Sequence, residues 1–296
     1  MQITLLGTSC MMPTRERNTP AVFLRYQSEG ILFDCGEGTQ RQMKIAGIPI
    51  PKITRIFISH WHGDHVFGLP GLLQTFAAGQ TGKTLYIYGP RGSKKAFNAL
   101  LGGYFFESDL KIKLTEVHKG VFFENEDFKL ESAPMKHTTE CVALAFIEKD
   151  KRRIRLDVTK KLGIPEGPLL GQLQKGKKIV WKGKDITPEK TTRIETGRKI
   201  AFISDTIMTE NCINIAKNAD LLICDSTFSS KLKEKAEEYG HLTALEAGLI
   251  ASKAGVKKLI LTHFSARYKD TLELEEEART VFDNVISAKD FMKINL

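Results

Sequence analysis

An α/β fold is expected of this chain, on three observations. Short apolar runs of strand length alternate with amphipathic segments of helix length, a cation-rich stretch interrupts that alternation over 149–199, and four strand-like runs stop at a His or an Asp. Alternating blocks give sheets flanked by helices, and the interruption reads as an insert within a single domain, 1–296. A length of 296 residues with 42% hydrophobic content suffices for a sizeable core.

Taken in order, the apolar runs at 2–6, 21–26 and 31–33 predict strands, and 39–46 a helix. A strand at 55–58 leads into a polar loop, after which 70–78 has a helical pattern. Pro70 fits the first turn, because the N–H it lacks would have no partner there. Strands follow near 85–88, 112–117, 128–134 and 142–147, with a helix over 92–101. Beyond the insert come strands at 199–203, 221–225 and 258–262, helices at about 229–239, 242–254 and 271–283, and a last strand near 290–294. There is no fixed-period repeat and no low-complexity tract.

The loop Ser59-His60-Trp61-His62-Gly63-Asp64-His65 carries three of the chain's 7 His beside a carboxylate. Imidazole nitrogen and carboxylate oxygen suit zinc and similar borderline cations. Alternate residues of an extended loop point one way, so His60 and His62 can face one ion while Asp64 and His65 turn to a second. Three more strand-like runs stop just before His137, Asp205 and His263. These seven ligands suit two metals: His60, His62 and His137 for one, Asp64, His65 and His263 for the other, with Asp205 bridging. Such a pair leaves open positions for a shared water, the arrangement for in-line displacement at phosphorus.

The net charge of +9 is local. Between Lys149 and Lys199 stand 16 Lys and Arg against 6 Asp and Glu, which leaves the rest of the chain near neutrality. A disordered basic linker is the alternative, but Ile154, Leu156 and Ile179-Val180-Trp181 point to an ordered arm. Its charge would attract phosphates without regard to sequence and lose strength as salt rises. The five Cys are scattered, odd in number and form no C-x-x-C pair, so free thiols in a reducing compartment are expected. No run of 18 apolar residues and no charged, apolar leader is present, so no membrane span and a cytoplasmic location are expected.

The order and spacing of the ligands resemble the metallo-β-lactamase fold family and, within it, the tRNase Z family, over nearly the whole length. The residues that carry the resemblance are Gly7-Thr8-Ser9, Pro13-Thr14-Arg15-Glu16-Arg17-Asn18, Phe33-Asp34-Cys35-Gly36-Glu37-Gly38-Thr39-Gln40 and the His60 loop running into Gly68-Leu69-Pro70-Gly71-Leu72. Further along come Gly167-Pro168, Ser204-Asp205-Thr206, Gly240-His241-Leu242-Thr243 and His263-Phe264-Ser265-Ala266-Arg267-Tyr268. The resemblance implies a four-layer αβ/βα sandwich with a protruding basic arm and with metals at the edge between the sheets. It implies a zinc-dependent endoribonuclease that removes the 3′ trailer from precursor tRNA, with two Zn2+ per subunit, Mn2+ or another divalent ion being able to replace them. A homodimer is implied as well, one subunit's arm holding tRNA for the other's active site.

The same resemblance implies roles for single residues. Asp64 orients or deprotonates the attacking water, His241 is the general acid, and Asp225 orients His241. Family members usually carry Glu and Ser where Asp225 and Leu242 stand here, which puts the polar support of His241 in question. The loop with Pro13, Arg15, Arg17 and Asn18 resembles the one that meets the acceptor end of tRNA; Arg15 stands where Lys is more usual and adds a planar fork. Lys160, Lys161, Gly167, Pro168, Lys175, Lys177 and Lys178 fall in a stretch like the family's exosite for the tRNA elbow. Ser265, Arg267 and Tyr268 are expected around the scissile phosphate, while His118, without a motif around it, reads as structural or exposed.

Overall fold

A computed structural model describes residues 1–79, 82, 84–103 and 109–296. Its strands in chain order are β1 (Gln2–Gly7), β2 (Ala21–Tyr26), β3 (Glu29–Phe33), β4 (Arg55–Phe57), β5 (Thr84–Gly89), β6 (Lys111–Glu116), β7 (Gly120–Glu124), β8 (Phe128–Lys136) and β9 (Glu140–Glu148). They continue as β10 (Lys151–Ile154), β11 (Ile179–Trp181), β12 (Lys184–Ile186), β13 (Thr192–Glu195), β14 (Lys199–Ile203), β15 (Leu221–Asp225), β16 (Leu259–Thr262), β17 (Val285–Ser287) and β18 (Lys293–Asn295). Two seven-stranded sheets result, in the orders β18-β1-β2-β3-β4-β5-β6 and β17-β16-β15-β14-β9-β8-β7.

Each sheet has a parallel block, β3 to β6 in the first and β14 to β17 in the second. Parallel strands are covered on both faces, and β15 accordingly reads Leu-Leu-Ile-Cys-Asp with every residue buried. Between the sheets, the Tyr26 and Phe146 rings lie 5.2 Å apart and those of Phe33 and Phe202 5.3 Å apart. The outer face of the first sheet is covered by helices Thr39–Ile45, Leu69–Ala78 and Ser93–Gly102, which supply Met43, Leu72, Leu73, Phe76 and Phe97 to one apolar cluster. Helices Glu210–Ala216 and Ala244–Ala254 pack on β14, β15 and β16 of the second. Helix, sheet, sheet and helix are the four layers expected. Among the described residues no helix is long and apolar enough to cross a membrane.

Outside the insert, the elements not expected include β7, β17 and helix Glu210–Ala216. Strand β7 lies at a sheet edge, buries no residue fully and has an apolar run of three residues only, Val121-Phe122-Phe123, too short to mark a strand by itself. The helix is only seven residues long and presents Cys212, Ile215 and Ala216 to the core. The last strand is β18, shorter and later than 290–294, and it pairs antiparallel with β1.

Residues 1–123, 130–146 and 199–296 form one compact unit, and 124–129 with 147–198 form a second. The stretch expected as an insert, 149–199, falls in the second unit except for Lys199. Within it, Ile164, Leu170, Leu173, Ile179 and Ile186 make a small core of their own. Strands β11 and β12 join through Lys182 and Gly183, both with positive φ (49° and 74°), as a two-residue hairpin turn requires. Gly167 (φ 132°) precedes Pro168, which opens the helix Pro168–Gln174.

Candidate metal centre and active site

Four of the candidate ligands lie just past the carboxyl end of a strand, the edge at which parallel sheets gather functional side chains. His60 follows β4, His137 follows β8, Asp205 follows β14 and His263 follows β16, while Asp64 and His65 ride on the short helix Gly63–Val66. The fold brings all seven together. His60 Nε2 and His137 Nε2 are each 3.1 Å from His62 Nδ1, and they lie 3.6 and 3.8 Å from Asp205 Oδ2. Across the carboxylate, His65 Nε2 and His263 Nε2 stand 3.5 and 3.3 Å from Asp205 Oδ1, and 3.4 and 3.6 Å from Asp64 Oδ2.

These spacings fit a metal. Zinc–nitrogen bonds of about 2.0–2.1 Å place tetrahedral donors about 3.3–3.4 Å apart. The buried Nε2 atoms of His65 and His263 have no hydrogen-bond partner, as nitrogens reserved for a cation should not. Burial opposes the Asp205 carboxylate, but His263 and His65 outweigh it and hold its pKa well below the usual range. Burial likewise opposes the imidazolium of His65 and of His263, yet Asp205 leads the charges that raise both. At His60, burial dominates and pushes the pKa well down. Two carboxylates, Asp64 and Asp205, facing the ligand imidazoles form a donor set that a divalent ion satisfies.

The nitrogens that face away from the centre are fixed by partners that sequence reading missed. Asp34, one residue past β3, accepts from His65 Nδ1 at 2.8 Å, from the Ser59 hydroxyl at 2.9 Å and from the Ser59 N–H at 2.7 Å. Ser59 Oγ lies 3.0 Å from His60 Nδ1, so one buried carboxylate braces a ligand of each donor set. His137 Nδ1 is 2.9 Å from the Gly240 carbonyl, and His263 Nδ1 is 3.0 Å from Thr227 Oγ1. Asp34 shares the strand-end position of the ligands, which was the available signal. Asp34 and His263 both hold positive φ, 55° and 63°, a conformation that costs on the order of 1 kcal/mol or more in a non-glycine residue and persists where surrounding contacts enforce it. Asp34→Asn is expected to lower zinc affinity about 10–100-fold, read by competition with a chromophoric chelator; unchanged affinity would show that the ligands need no such brace.

Beside the donor sets, His241 Nδ1 is 3.2 Å from Asp225 Oδ2, and the Leu242 N–H donates to the same oxygen at 3.1 Å. A direct contact therefore joins His241 to the shorter carboxylate, and the backbone of Leu242 supplies polar support. Burial opposes ionisation of Asp225, but His241 outweighs it and the pKa falls to about 2. Burial also opposes an imidazolium at His241, and Asp225 with Asp205 overcomes it, raising the pKa.

The loop after β1 corrects one expectation. Arg17 is not presented to solvent; its guanidinium donates to the Ser265 and Tyr268 carbonyls and lies over the Phe264 ring, so it ties this loop to the segment after His263. The amide of Asn18 is likewise engaged, donating to the Glu37 carbonyl at 2.7 Å. Pro13 and Arg15 are exposed, as is Arg267, whose guanidinium lies 5.1 Å from the Phe228 ring centre. Lys160, Lys161, Gly167, Pro168, Lys175, Lys177 and Lys178 are all exposed in the second unit, Lys178 paired with Asp185 at 3.1 Å. His118 is partly buried, its Nδ1 without a partner, and lies outside the metal-competent groups.

Comparison with known proteins places this geometry. Ribonuclease Z from Archaeoglobus fulgidus is 42% identical over 100% of this chain and 97% of its own length. The chain belongs to the ribonuclease Z family. Ribonuclease Z from Methanothermobacter thermautotrophicus is 40% identical with the same coverage of both chains. Among solved structures, human tRNase Z, short form, matches with a TM-score of 0.72 at 28% identity, covering 100% of this chain and 99% of that one. The metallo-β-lactamase fold protein YhfI from Bacillus subtilis, with a TM-score of 0.72 at 20% identity over 99% of this chain and 98% of that one, shows the shared fold. A family model described as anti-Pycsar protein Apyc1 matches residues 1–159, a span that takes in the histidine loop and His137 but stops before Asp205, His241 and His263.

Proposed function

We propose that this chain is a zinc-dependent endoribonuclease that removes the 3′ trailer from precursor tRNA, leaving a 3′-hydroxyl on the tRNA and a 5′-phosphate on the trailer. The observation that carries this reading is that proteins named Ribonuclease Z align with the entire chain, the basic stretch included, and not with the metal loop alone. His60, His62, His137 and one oxygen of Asp205 would hold one zinc ion, and Asp64, His65, His263 and the other oxygen a second. When bound, such ions supply Lewis acidity, neutralise phosphoryl charge and make hydroxide available near neutral pH.

The chain's own groups do the rest. Burial opposes the Asp64 carboxylate, but His65 and His263 outweigh it and keep it ionised, so Asp64 positions a proton of the attacking water. The Met11 N–H donates to Asp64 Oδ2 at 2.8 Å and fixes that carboxylate from the loop side. His241, engaged through Nδ1, has Nε2 left to protonate the departing 3′ oxygen. Arg15, Arg267 and the exposed lysines of the arm bind phosphates, the arm acting as an exosite that decides which RNA reaches the centre. The reading extends to a homodimer in the cytoplasm, for which sedimentation at two chain masses is the expected result.

Purified protein loaded with zinc is tested on a trailer-bearing pre-tRNA and on bis(4-nitrophenyl) phosphate. Cleavage of both, with the RNA cut once at its 3′ side, is expected. Hydrolysis of the small ester with the RNA left intact would replace this reading with that of a small-phosphodiester hydrolase.

A further inference from the structure

We infer that Thr227 is a positioning residue with two simultaneous tasks: its hydroxyl sets the ring orientation of the metal-facing His263 and completes the support of the Asp225–His241 pair. The inference rests on the reading of His241 as the general acid. Thr227 is fully buried two residues past the end of β15. Asp225 Oδ1 accepts its N–H at 2.9 Å and its hydroxyl proton at 2.6 Å, a local turn that commits the single hydroxyl proton to the carboxylate. The next-best acceptor, the His263 carbonyl, is 3.0 Å away.

With that proton placed, Thr227 Oγ1 has only lone pairs to offer. They face His263 Nδ1 at 3.0 Å and His241 Nδ1 at 3.3 Å. An Nδ1–H on His263 leaves its Nε2 unprotonated and aimed at Asp205 and Asp64, the form in which an imidazole binds a metal. On His241 the Nδ1–H is shared between Asp225 Oδ2 at 3.2 Å and Thr227 Oγ1, two long bonds in place of one short one. The hydroxyl thus adds a second acceptor beside Asp225 for the His241 ring.

The zinc-loaded enzyme is compared with its Thr227→Val and Thr227→Ser variants, with zinc affinity measured by chelator competition. Val, of equal shape, is expected to weaken zinc binding about 10-fold or more. At saturating zinc it should lower kcat on pre-tRNA about 10–100-fold while changing bis(4-nitrophenyl) phosphate hydrolysis less than about 3-fold, because nitrophenolate leaves without a proton. Ser should restore all three. A Val variant with parental zinc affinity, or with equal losses on both substrates, overturns the inference, as does a Ser variant that behaves like Val. Should the Val variant not fold, Thr227→Cys, a weaker donor of similar size, is held to the same criteria. His241→Ala separates the two readings. If it cleaves RNA at the parental rate, the general-acid reading fails; if it loses RNA cleavage while Thr227→Val does not, the positioning inference alone fails.

Discussion

Asp205→Ala is expected to lower pre-tRNA cleavage by about 10³–10⁴-fold and to take bound zinc from two equivalents per chain to below one. The reason is placement: its two oxygens face different donor sets, Oδ2 towards His60 and His137, Oδ1 towards His65 and His263. No other candidate ligand meets both. Removing it takes away charge stabilisation of several kcal/mol, and each 1.36 kcal/mol is about tenfold in rate. His62→Ala, whose Nδ1 faces only one set, should leave about one equivalent. Metal content by elemental analysis checks both. An Asp205→Ala protein that retained two ions would remove the bridging role and require a different partition of the ligands.

The second large effect concerns substrate choice. Excising 152–194 and closing Lys151 to Glu195 with an Asn-Gly turn is expected to weaken pre-tRNA binding about 100-fold or more at 0.15 M salt, while bis(4-nitrophenyl) phosphate hydrolysis stays within about 2-fold. The closure is feasible because Lys151 and Glu195 are direct partners across β10 and β13, so a two-residue hairpin spans the gap. The excision removes the exposed Lys160, Lys161, Lys175, Lys177 and Lys178. The slope of log affinity against log salt should therefore fall by about 0.7–0.9 for each phosphate that these cations no longer neutralise. Equal damage to RNA binding and to the small ester would show that this segment supports the centre and does not select RNA.

The metal ligands could be read from the chain because His60, His137, Asp205 and His263 follow apolar strands and His62, Asp64 and His65 crowd the loop and helix after the first of them, all local properties. Their partners were harder to read. Asp34 and Ser59 matter through a contact between segments 25 residues apart, and Thr227 reaches His263 across 36, which no window of sequence encodes. Arg17 failed for a related reason: a cation in a polar loop looks exposed until the Ser265 and Tyr268 carbonyls are seen to enclose it. Asp225 and Leu242, which left the support of His241 in question, became interpretable from the fold: the Asp225 carboxylate reaches His241 directly, and the Leu242 N–H that holds this carboxylate needs no particular side chain. The layers were legible where strands are apolar on both faces, as in β15, and not at the edge strand β7 or in the short helix Glu210–Ala216.

The slim apolar cluster of Ile164, Leu170, Leu173, Ile179 and Ile186 has a thermal consequence. A module held by so few side chains opens at lower free energy than sheets buried on both faces. Gentle warming should therefore make the enzyme indiscriminate before it makes it inert: deuterium uptake would rise first across 147–198, and turnover of simple esters would outlast the ability to tell one transcript from another.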